Sequence, residues 1–148
     1  MAGQENKSLN VKTNGISTQK CKPYELIILH HNVQSLNKLL DLSISLSTDA
    51  VNADVLCLTE HWLKANQLNS IYIDQFKQVS SFCRSTSTGG GSSIYVKNFL
   101  RTKDLVYFNR LLCEKTCELS AIELTDFNLI LICIYTSPMG ILINFCQY

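Results

Sequence analysis

Two polar side chains stand where short apolar runs of the sequence end, and together they could hold a metal ion. Asn32 follows the run Leu26–Leu29, and Glu60 follows the run Val55–Leu58. Amide and carboxylate oxygens are hard donors, which suit Mg²⁺. Asn and Glu also end many strands simply because loops face water. On spacing alone that ordinary interpretation is favoured, and other features of the sequence must decide between the two.

The elements that would bring these residues together are a strand, a helix and a second strand. Both apolar runs are continuous rather than alternating, which is typical of strands covered on two faces. Between them, apolar residues recur at helical spacing from Leu36 to Ile44, after Ser35, which can cap that helix. Such a unit predicts two strands in one sheet, with any site at their carboxyl ends. We therefore expect Asn32 and Glu60 to face the same crevice.

The rest of the chain predicts further strands and few helices. Residues 1–23 are polar and predict a disordered tail. The glycine-rich segment 85–93 predicts a loop, and 126–128 predicts the turn of an antiparallel hairpin between the last two strand candidates. These candidates are Ile94–Val96, Leu105–Phe108, Leu119–Leu124 and Leu129–Tyr135.

Composition excludes several classes of protein. The 148 residues are 46% hydrophobic and 17% charged, which excludes a disordered chain. Lys and Arg number 13 against 12 Asp and Glu, so no basic excess indicates nucleic-acid binding. The seven cysteines are irregularly spaced, and the N-terminus has no apolar signal segment, which predicts a reduced intracellular protein, nuclear or cytoplasmic. Cys113 and Cys117 lack a second ligand pair for zinc, and the glycine loop lacks the Lys of a P-loop.

Four ordered motifs carry a more specific signal. They are Leu29-His-His-Asn-Val-Gln-Ser-Leu36, Ala53-Asp-Val-Leu-Cys-Leu-Thr-Glu-His-Trp-Leu63, Arg84 with Gly89-Gly-Gly91 and Ser93-Ile-Tyr-Val-Lys97, and Ile134-Tyr-Thr-Ser-Pro138. In this order they resemble the endonuclease/exonuclease/phosphatase superfamily, most closely the endonuclease domain of non-LTR (LINE-type) retrotransposons. The resemblance runs from about Glu25 to Pro138.

The resemblance implies a fold and a chemistry. The fold would be α/β: the N-terminal portion of a truncated four-layer α/β sandwich, with two mixed β-sheets flanked by helices, over residues 24–138. The activity would be Mg²⁺-dependent phosphodiester hydrolysis, with DNA as the partner and no small-molecule cofactor. By motif, Glu60 is similar to the family's metal ligand, and Asn32 to the catalytic Asn near the metal and the attacking water. Tyr135 is similar to the catalytic Tyr that hydrogen-bonds the scissile phosphate, and Arg84 to a structural Arg.

Departures from the family pattern concentrate after Tyr135. Thr136 replaces the usual Arg, and Met139 replaces a frequent Asn. The family's Gly-Asp-Phe-Asn and Ser-Asp-His motifs, which position water and phosphate, do not follow before Tyr148. The histidines are at 30, 31 and 61. Asp126-Phe127-Asn128 precedes Tyr135, so it predicts a turn rather than the family's motif.

Three hypotheses remain open at this point. The first is a truncated retrotransposon endonuclease domain that is inactive alone, with Mg²⁺ binding weak or absent because one carboxylate makes a poor site. The second is a non-enzymatic binding remnant of the same fold. The third is a membrane-tethered fragment, because 127–148 carries no charge. Thr136-Ser137-Pro138 and Gly140 interrupt that stretch, so a membrane span is disfavoured, and 139–148 predicts an unrelated apolar ending.

Overall fold

A computed structural model describes residues 7–12, 24–35, 52–111 and 114–137. These residues form two β-sheets and a short helix, α1 (Ala65–Leu68). The first sheet contains β1 (Lys7–Lys12), β2 (Glu25–Asn32), β3 (Val55–Thr59), β4 (Phe76–Phe82) and β5 (Ser92–Lys97). The second sheet contains β6 (Thr102–Asp104), β7 (Glu118–Leu124) and β8 (Leu129–Tyr135).

The first sheet is mixed and has the strand order β1-β2-β3-β5-β4. Strands β2 and β3 run parallel, as the strand–helix–strand pattern predicts, whereas the other neighbours are antiparallel. Parallel neighbours need a crossover connection. The helix predicted there, Leu36 to Ile44, lies outside the described residues. Every residue of β3 is buried, as its continuous apolar run indicates.

Two strands of this sheet are not predicted by the apolar pattern. Lys7–Lys12, part of the segment 1–23 expected to be a disordered tail, pairs antiparallel with β2 at the sheet edge. An edge strand gains its ladder hydrogen bonds through the backbone, so it needs no apolar run. In β4 only Ser80 is buried, and the register shifts between Gln78 and Ser80. That irregularity removes the alternation by which a strand is recognised.

The second sheet is antiparallel, in the order β6-β7-β8. Strands β7 and β8 form the predicted hairpin around turn residues 125–128. The strand expected over Leu105–Phe108 is wrong, because a 3₁₀ segment occupies Val106–Leu111. Leu105 and Phe108 both pack on the outer face of β7. A spacing of three residues places two side chains on one face of a 3₁₀ turn, whereas in a strand they would point to opposite faces.

The two sheets pack face to face over one apolar cluster. It joins side chains of β2, β3 and β5 to side chains of β7 and β8: Leu26, Ile28, Val55, Cys57, Ile94, Val96, Ile122, Leu124 and Cys133. The other face of the first sheet is covered by residues that follow β3, among them Leu63 and, in α1, Leu68. Strands β3 and β5 are therefore buried on both faces, which explains the continuous apolar run of β3.

The described residues thus form a sheet-rich fold with two packed sheets and little helix. The expectation of two sheets is confirmed at this coarser level, with the first sheet mixed and the second, also expected to be mixed, antiparallel in the described residues. The flanking helical layers of a four-layer sandwich go beyond what these residues contain, since α1 spans four residues. Residues 139–148, expected to be an unrelated ending, lie outside the described part.

The outer face of the second sheet is partly open. Ile130, Ile132 and Ile134 alternate outward on β8 and are 54%, 39% and 54% exposed. In the described segments there is no helix of the length and apolarity required to cross a membrane. The exposed isoleucines therefore belong to a strand. They alternate along β8 with the inward residues Leu129, Leu131 and Cys133, as in a strand that is buried on one face only.

The sandwich core predicts which isoleucine matters for stability. Ile122 is fully buried between the sheets, so Ile122→Ala should lower the free energy of unfolding by about 2–5 kcal/mol. Ile130 lies on the adjacent strand and is exposed, so Ile130→Ala should cost less than about 1 kcal/mol. Urea denaturation followed by circular dichroism measures both. Equal losses in the two variants would contradict face-to-face packing of the sheets.

Candidate functional site

The structure brings Asn32 and Glu60 to the same edge of the first sheet. In the parallel register, Asn32 pairs with Thr59, the residue before Glu60. The Val33 N–H donates to the Thr59 carbonyl at 2.9 Å, and the Ser35 N–H donates to the Glu60 carbonyl at 2.8 Å. The two strand ends are thus joined by backbone hydrogen bonds, as expected for the carboxyl ends of neighbouring parallel strands.

Asn32 lies on the face of the first sheet that meets the second sheet. Alternation along β2 puts it on the same side as Leu26 and Ile28, which belong to the inter-sheet cluster. Its side chain is half-buried, and its Oδ1 accepts a hydrogen bond from the Gln34 N–H at 3.3 Å. That long bond leaves lone-pair capacity on the amide oxygen, since a carbonyl oxygen has two lone pairs.

Tyr135 reaches the same place from the second sheet. It ends β8 and lies on the inward face together with Cys133, whose Sγ approaches the Leu58 carbonyl at 4.0 Å. The Tyr135 hydroxyl donates a hydrogen bond to the Glu60 carboxylate. Burial, followed by this hydrogen bond and the charge of Glu60, raises the pKa of Tyr135 to about 12. The phenol is therefore a hydrogen-bond donor near neutral pH and not a general base.

The backbone around Glu60 is held in an unusual conformation. Glu60 and Trp62 have φ angles of +57° and +60°, in the left-handed region that side chains other than glycine rarely adopt. Such conformations cost roughly 1–3 kcal/mol each and persist only where the surroundings impose them. Trp62 is 46% exposed, because the chain has left the sheet at this point and turns the indole toward solvent.

His61, between these two residues, is fully buried and serves as structural support. Its Nε2 donates to the Phe82 carbonyl at 2.9 Å, and its Nδ1 accepts from the Leu63 N–H at 3.0 Å. Burial lowers the pKa of His61, while the hydrogen bond to Phe82 acts in the opposite direction. Protonation of Nδ1 would break the bond to Leu63, so His61 is neutral and already committed on both ring nitrogens.

The glycine loop lies against the segment from Glu60 to Trp62. Gly90 and Gly91 have φ angles of +61° and +91°. A Cβ at Gly91 would overlap the His61 ring, and a Cβ at Gly90 would overlap the Arg84 guanidinium. Both the left-handed backbone and the lack of space for a Cβ therefore require glycine at these two positions. The loop therefore supports the Glu60 backbone, and its glycines are explained without a phosphate-binding role.

A buried ion pair anchors this loop. Arg84 Nε donates to Glu118 Oε1 at 2.5 Å, and Arg84 Nη1 also donates to the Thr88 carbonyl at 3.2 Å. Arg84 is 9% exposed and Glu118 is fully buried. The structural role expected for Arg84 agrees with this arrangement. Sequence reasoning missed Glu118, and the available signal was a lone carboxylate directly before the uncharged residues Leu119–Ile122.

The Asp-Phe-Asn tripeptide lies away from the candidate site. Asp126 and Asn128 occupy the hairpin turn, and Asn128 has a φ of +48°. Asp126 forms an ion pair with Arg101 at 2.5 Å. The turn precedes β8 and Tyr135 ends it, so six steps of a strand, about 20 Å, separate it from the candidate site. The turn interpretation of this tripeptide therefore agrees with the structure.

The donor set fits a magnesium ion only in part. Within the described ranges no three His, Cys, Asp or Glu side chains are grouped as a metal site. Glu60 supplies a carboxylate and Asn32 an amide oxygen, while Glu118 is occupied by Arg84. Mg²⁺ keeps several waters and binds through one or two carboxylates in many sites. These residues would therefore hold the ion weakly. Of the cysteine pair considered for zinc, Cys113 lies outside the described residues.

The glycine loop yields a prediction with a matched control. Gly89 has a φ of +84°, close to that of Gly91, but a Cβ there meets only ordinary contacts, the nearest at 3.7 Å. Either Ala substitution should cost about 1–2 kcal/mol for the left-handed backbone. Gly91→Ala should cost a further ~1–3 kcal/mol because of the overlap with His61. Thermal or urea unfolding measures the difference, and equal stability of the two variants would mean that Gly91 does not pack on His61.

Comparison with known proteins returned no relatives. No protein-family model matches the chain, and no curated protein or solved structure matches it either. The resemblance to the endonuclease/exonuclease/phosphatase superfamily therefore depends on the four sequence motifs alone.

Proposed function

We propose that this chain carries the metal-holding part of a Mg²⁺-dependent phosphodiesterase centre, of the kind found in the endonuclease domains of non-LTR retrotransposons. One observation supports the proposal above others. Asn32, Glu60 and Tyr135 come from three strands and two sheets, yet they meet at one edge of the sandwich. The motifs single out these three residues from widely separated parts of the sequence. Strand direction accounts for the proximity of Asn32 and Glu60, and Tyr135 joins them from the second sheet.

The roles of the side chains follow from their chemistry. Glu60 and Asn32 would hold Mg²⁺, which when bound supplies Lewis-acid stabilisation of charge on a phosphate. Tyr135 would turn its single O–H from Glu60 to a phosphate oxygen when a phosphodiester is bound, and its raised pKa keeps it protonated. Trp62, on the exposed side of the same loop, offers an aromatic surface to a nucleic-acid base. DNA is the partner that this chemistry fits.

The same proposal extends to the fold. The two packed sheets would be the central layers of a four-layer α/β sandwich, with helices on the outside. The apolar stripe on the outer face of β8 supports this extension, because a helix can cover such a face.

The 148-residue chain lacks the groups that the resembled family places after its Tyr to position water. After Tyr135 its sequence holds no Asp, Glu or His. His61 is committed on both ring nitrogens, and Asp126 is paired with Arg101 in the distant turn. General acid–base catalysis typically contributes 10²–10⁴-fold. We therefore propose that this polypeptide alone hydrolyses phosphodiesters very slowly.

The exposed isoleucines of β8 favour a second candidate, a non-enzymatic binding role through that face.

Metal binding tests the first proposal directly. Mn²⁺, used as a paramagnetic probe for Mg²⁺, should bind the wild-type chain weakly, and Glu60→Gln should lower the affinity by about tenfold or more because the single carboxylate is lost. Glu123→Gln, on the outer face of β7, is the matched control and should bind as the wild type does. Water-proton relaxation measures all three. Identical affinity of Glu60→Gln and wild type would exclude Glu60 as the ligand.

Hydrolysis provides a separate prediction. Supercoiled plasmid incubated with the purified chain and Mg²⁺ should show no nicking above that of Glu60→Ala, because the water-activating groups are missing. Agarose gels with chelator-treated samples measure this. Nicking by the wild type that disappears in Glu60→Ala would show that the 148 residues are sufficient for activity, and our account of the missing groups would then be wrong.

A further inference from the structure

Glu118 is the most completely buried carboxylate of the described part, and its hydrogen bonds converge on the glycine loop. Oε1 accepts from Arg84 Nε at 2.5 Å and from the Lys115 N–H at 2.8 Å, and Oε2 accepts from the Gly91 N–H at 2.6 Å. Removing a carboxylate from water costs several kcal/mol, which a buried ion pair does not always recover. The buried pair is therefore weak evidence that Glu118 stabilises the fold. We consider instead whether Glu118 positions the glycine loop.

The hydrogen bonds continue from Glu118 to Glu60 through one residue. Gly91 donates its N–H to Glu118 and accepts on its carbonyl from the Glu60 N–H at 2.8 Å. Gly90 accepts from the Trp62 N–H at 3.0 Å. Both backbone N–H groups that donate to the loop belong to residues in the left-handed conformation, Glu60 and Trp62. The loop thus holds the two strained positions on either side of His61, and Glu118 holds the loop.

Arg84 completes the arrangement from the other side. Its guanidinium lies directly against Gly90, where no Cβ could fit. The same guanidinium is oriented by Glu118. The carboxylate therefore fixes the loop twice, once through the Gly91 N–H and once through the side chain that packs on Gly90.

From these contacts we propose that Glu118 is a positioning residue, which sets the backbone of Glu60 through Gly91 so that the Glu60 carboxylate meets the Tyr135 hydroxyl. This inference rests on the proposed function for its importance, because the positioned carboxylate is the metal ligand. Its geometry, however, concerns residues of this chain only. Glu118 touches neither metal nor substrate in this account.

The test compares two isosteric substitutions on one strand. Glu118→Gln keeps the shape but leaves one of the three donors without its carboxylate oxygen, whereas Glu123→Gln changes a half-buried residue on the opposite face of β7. The readout is amide hydrogen exchange of Glu60 and Trp62, followed by NMR. We expect both amides to exchange about tenfold or more faster in folded Glu118→Gln, beyond any change shared by the core strands, because the loop that accepts from them loses its anchor. Glu123→Gln should leave both rates unchanged.

A second measurement uses the wild-type chain and does not depend on whether Glu118→Gln folds. If Gly91 holds Glu60, their amide protons should become exposed in the same opening event and exchange with protection factors within about tenfold of each other. Exchange of Gly91 about a hundredfold faster than Glu60 would overturn the proposal. So would unchanged exchange of the Glu60 amide in folded Glu118→Gln. Neither readout needs metal or hydrolysis. The metal-site proposal can therefore fail while the positioning role of Glu118 is confirmed, and the positioning role can fail while metal binding at Glu60 is confirmed.

Discussion

The contact on which the candidate site depends is the buried ion pair between Arg84 and Glu118. Arg84 follows β4 of the first sheet and Glu118 begins β7 of the second, so the pair ties the sheets together at the edge where the site lies. Breaking such a pair by removing one partner costs about 3–5 kcal/mol, a large share of the ~5–15 kcal/mol that stabilises a domain. The pair tolerates burial because backbone N–H groups of Gly91 and Lys115 satisfy the remaining carboxylate capacity.

The strands that the sequence predicts best are those with continuous or strictly alternating apolar residues. Strands β2, β3, β5, β7 and β8 fall into this group, and the predicted span of β8 agrees with the structure at both ends. Strand β1 has no such pattern because an edge strand is held by backbone hydrogen bonds, and β4 has a register shift that disturbs its alternation. The segment after Leu105 was misassigned because four residues with three apolar members fit a strand and a 3₁₀ turn equally well.

The site was predictable to the extent that it follows from strand direction. Parallel strands place their carboxyl ends together, so the proximity of Asn32 and Glu60 follows once the strand–helix–strand unit is recognised. Tyr135 could be added only through the family resemblance, since periodicity does not say which strand of a second sheet crosses above Glu60. The sequence marks Glu118 only as a lone carboxylate before an uncharged stretch, which does not identify Arg84 or Gly91 as its partners. The left-handed φ of Glu60 was beyond reach, because it arises from contact with a loop that is distant in sequence. The strain itself has no local signature, as neither Glu60 nor Trp62 is a residue that favours positive φ.

The arrangement around Glu60 is compatible with both a structural and a metal-holding role for its carboxylate, and the two do not exclude each other. A carboxylate has two oxygens and about four lone-pair sites, of which the Tyr135 hydroxyl uses one. The remaining lone pairs are the ones through which the proposed Mg²⁺ would be held. Strain at Glu60 is then consistent with function, because left-handed backbone at a non-glycine residue is maintained only where the surroundings over-determine it. Here the surroundings are the glycine loop, which in turn depends on the ion pair between the two sheets.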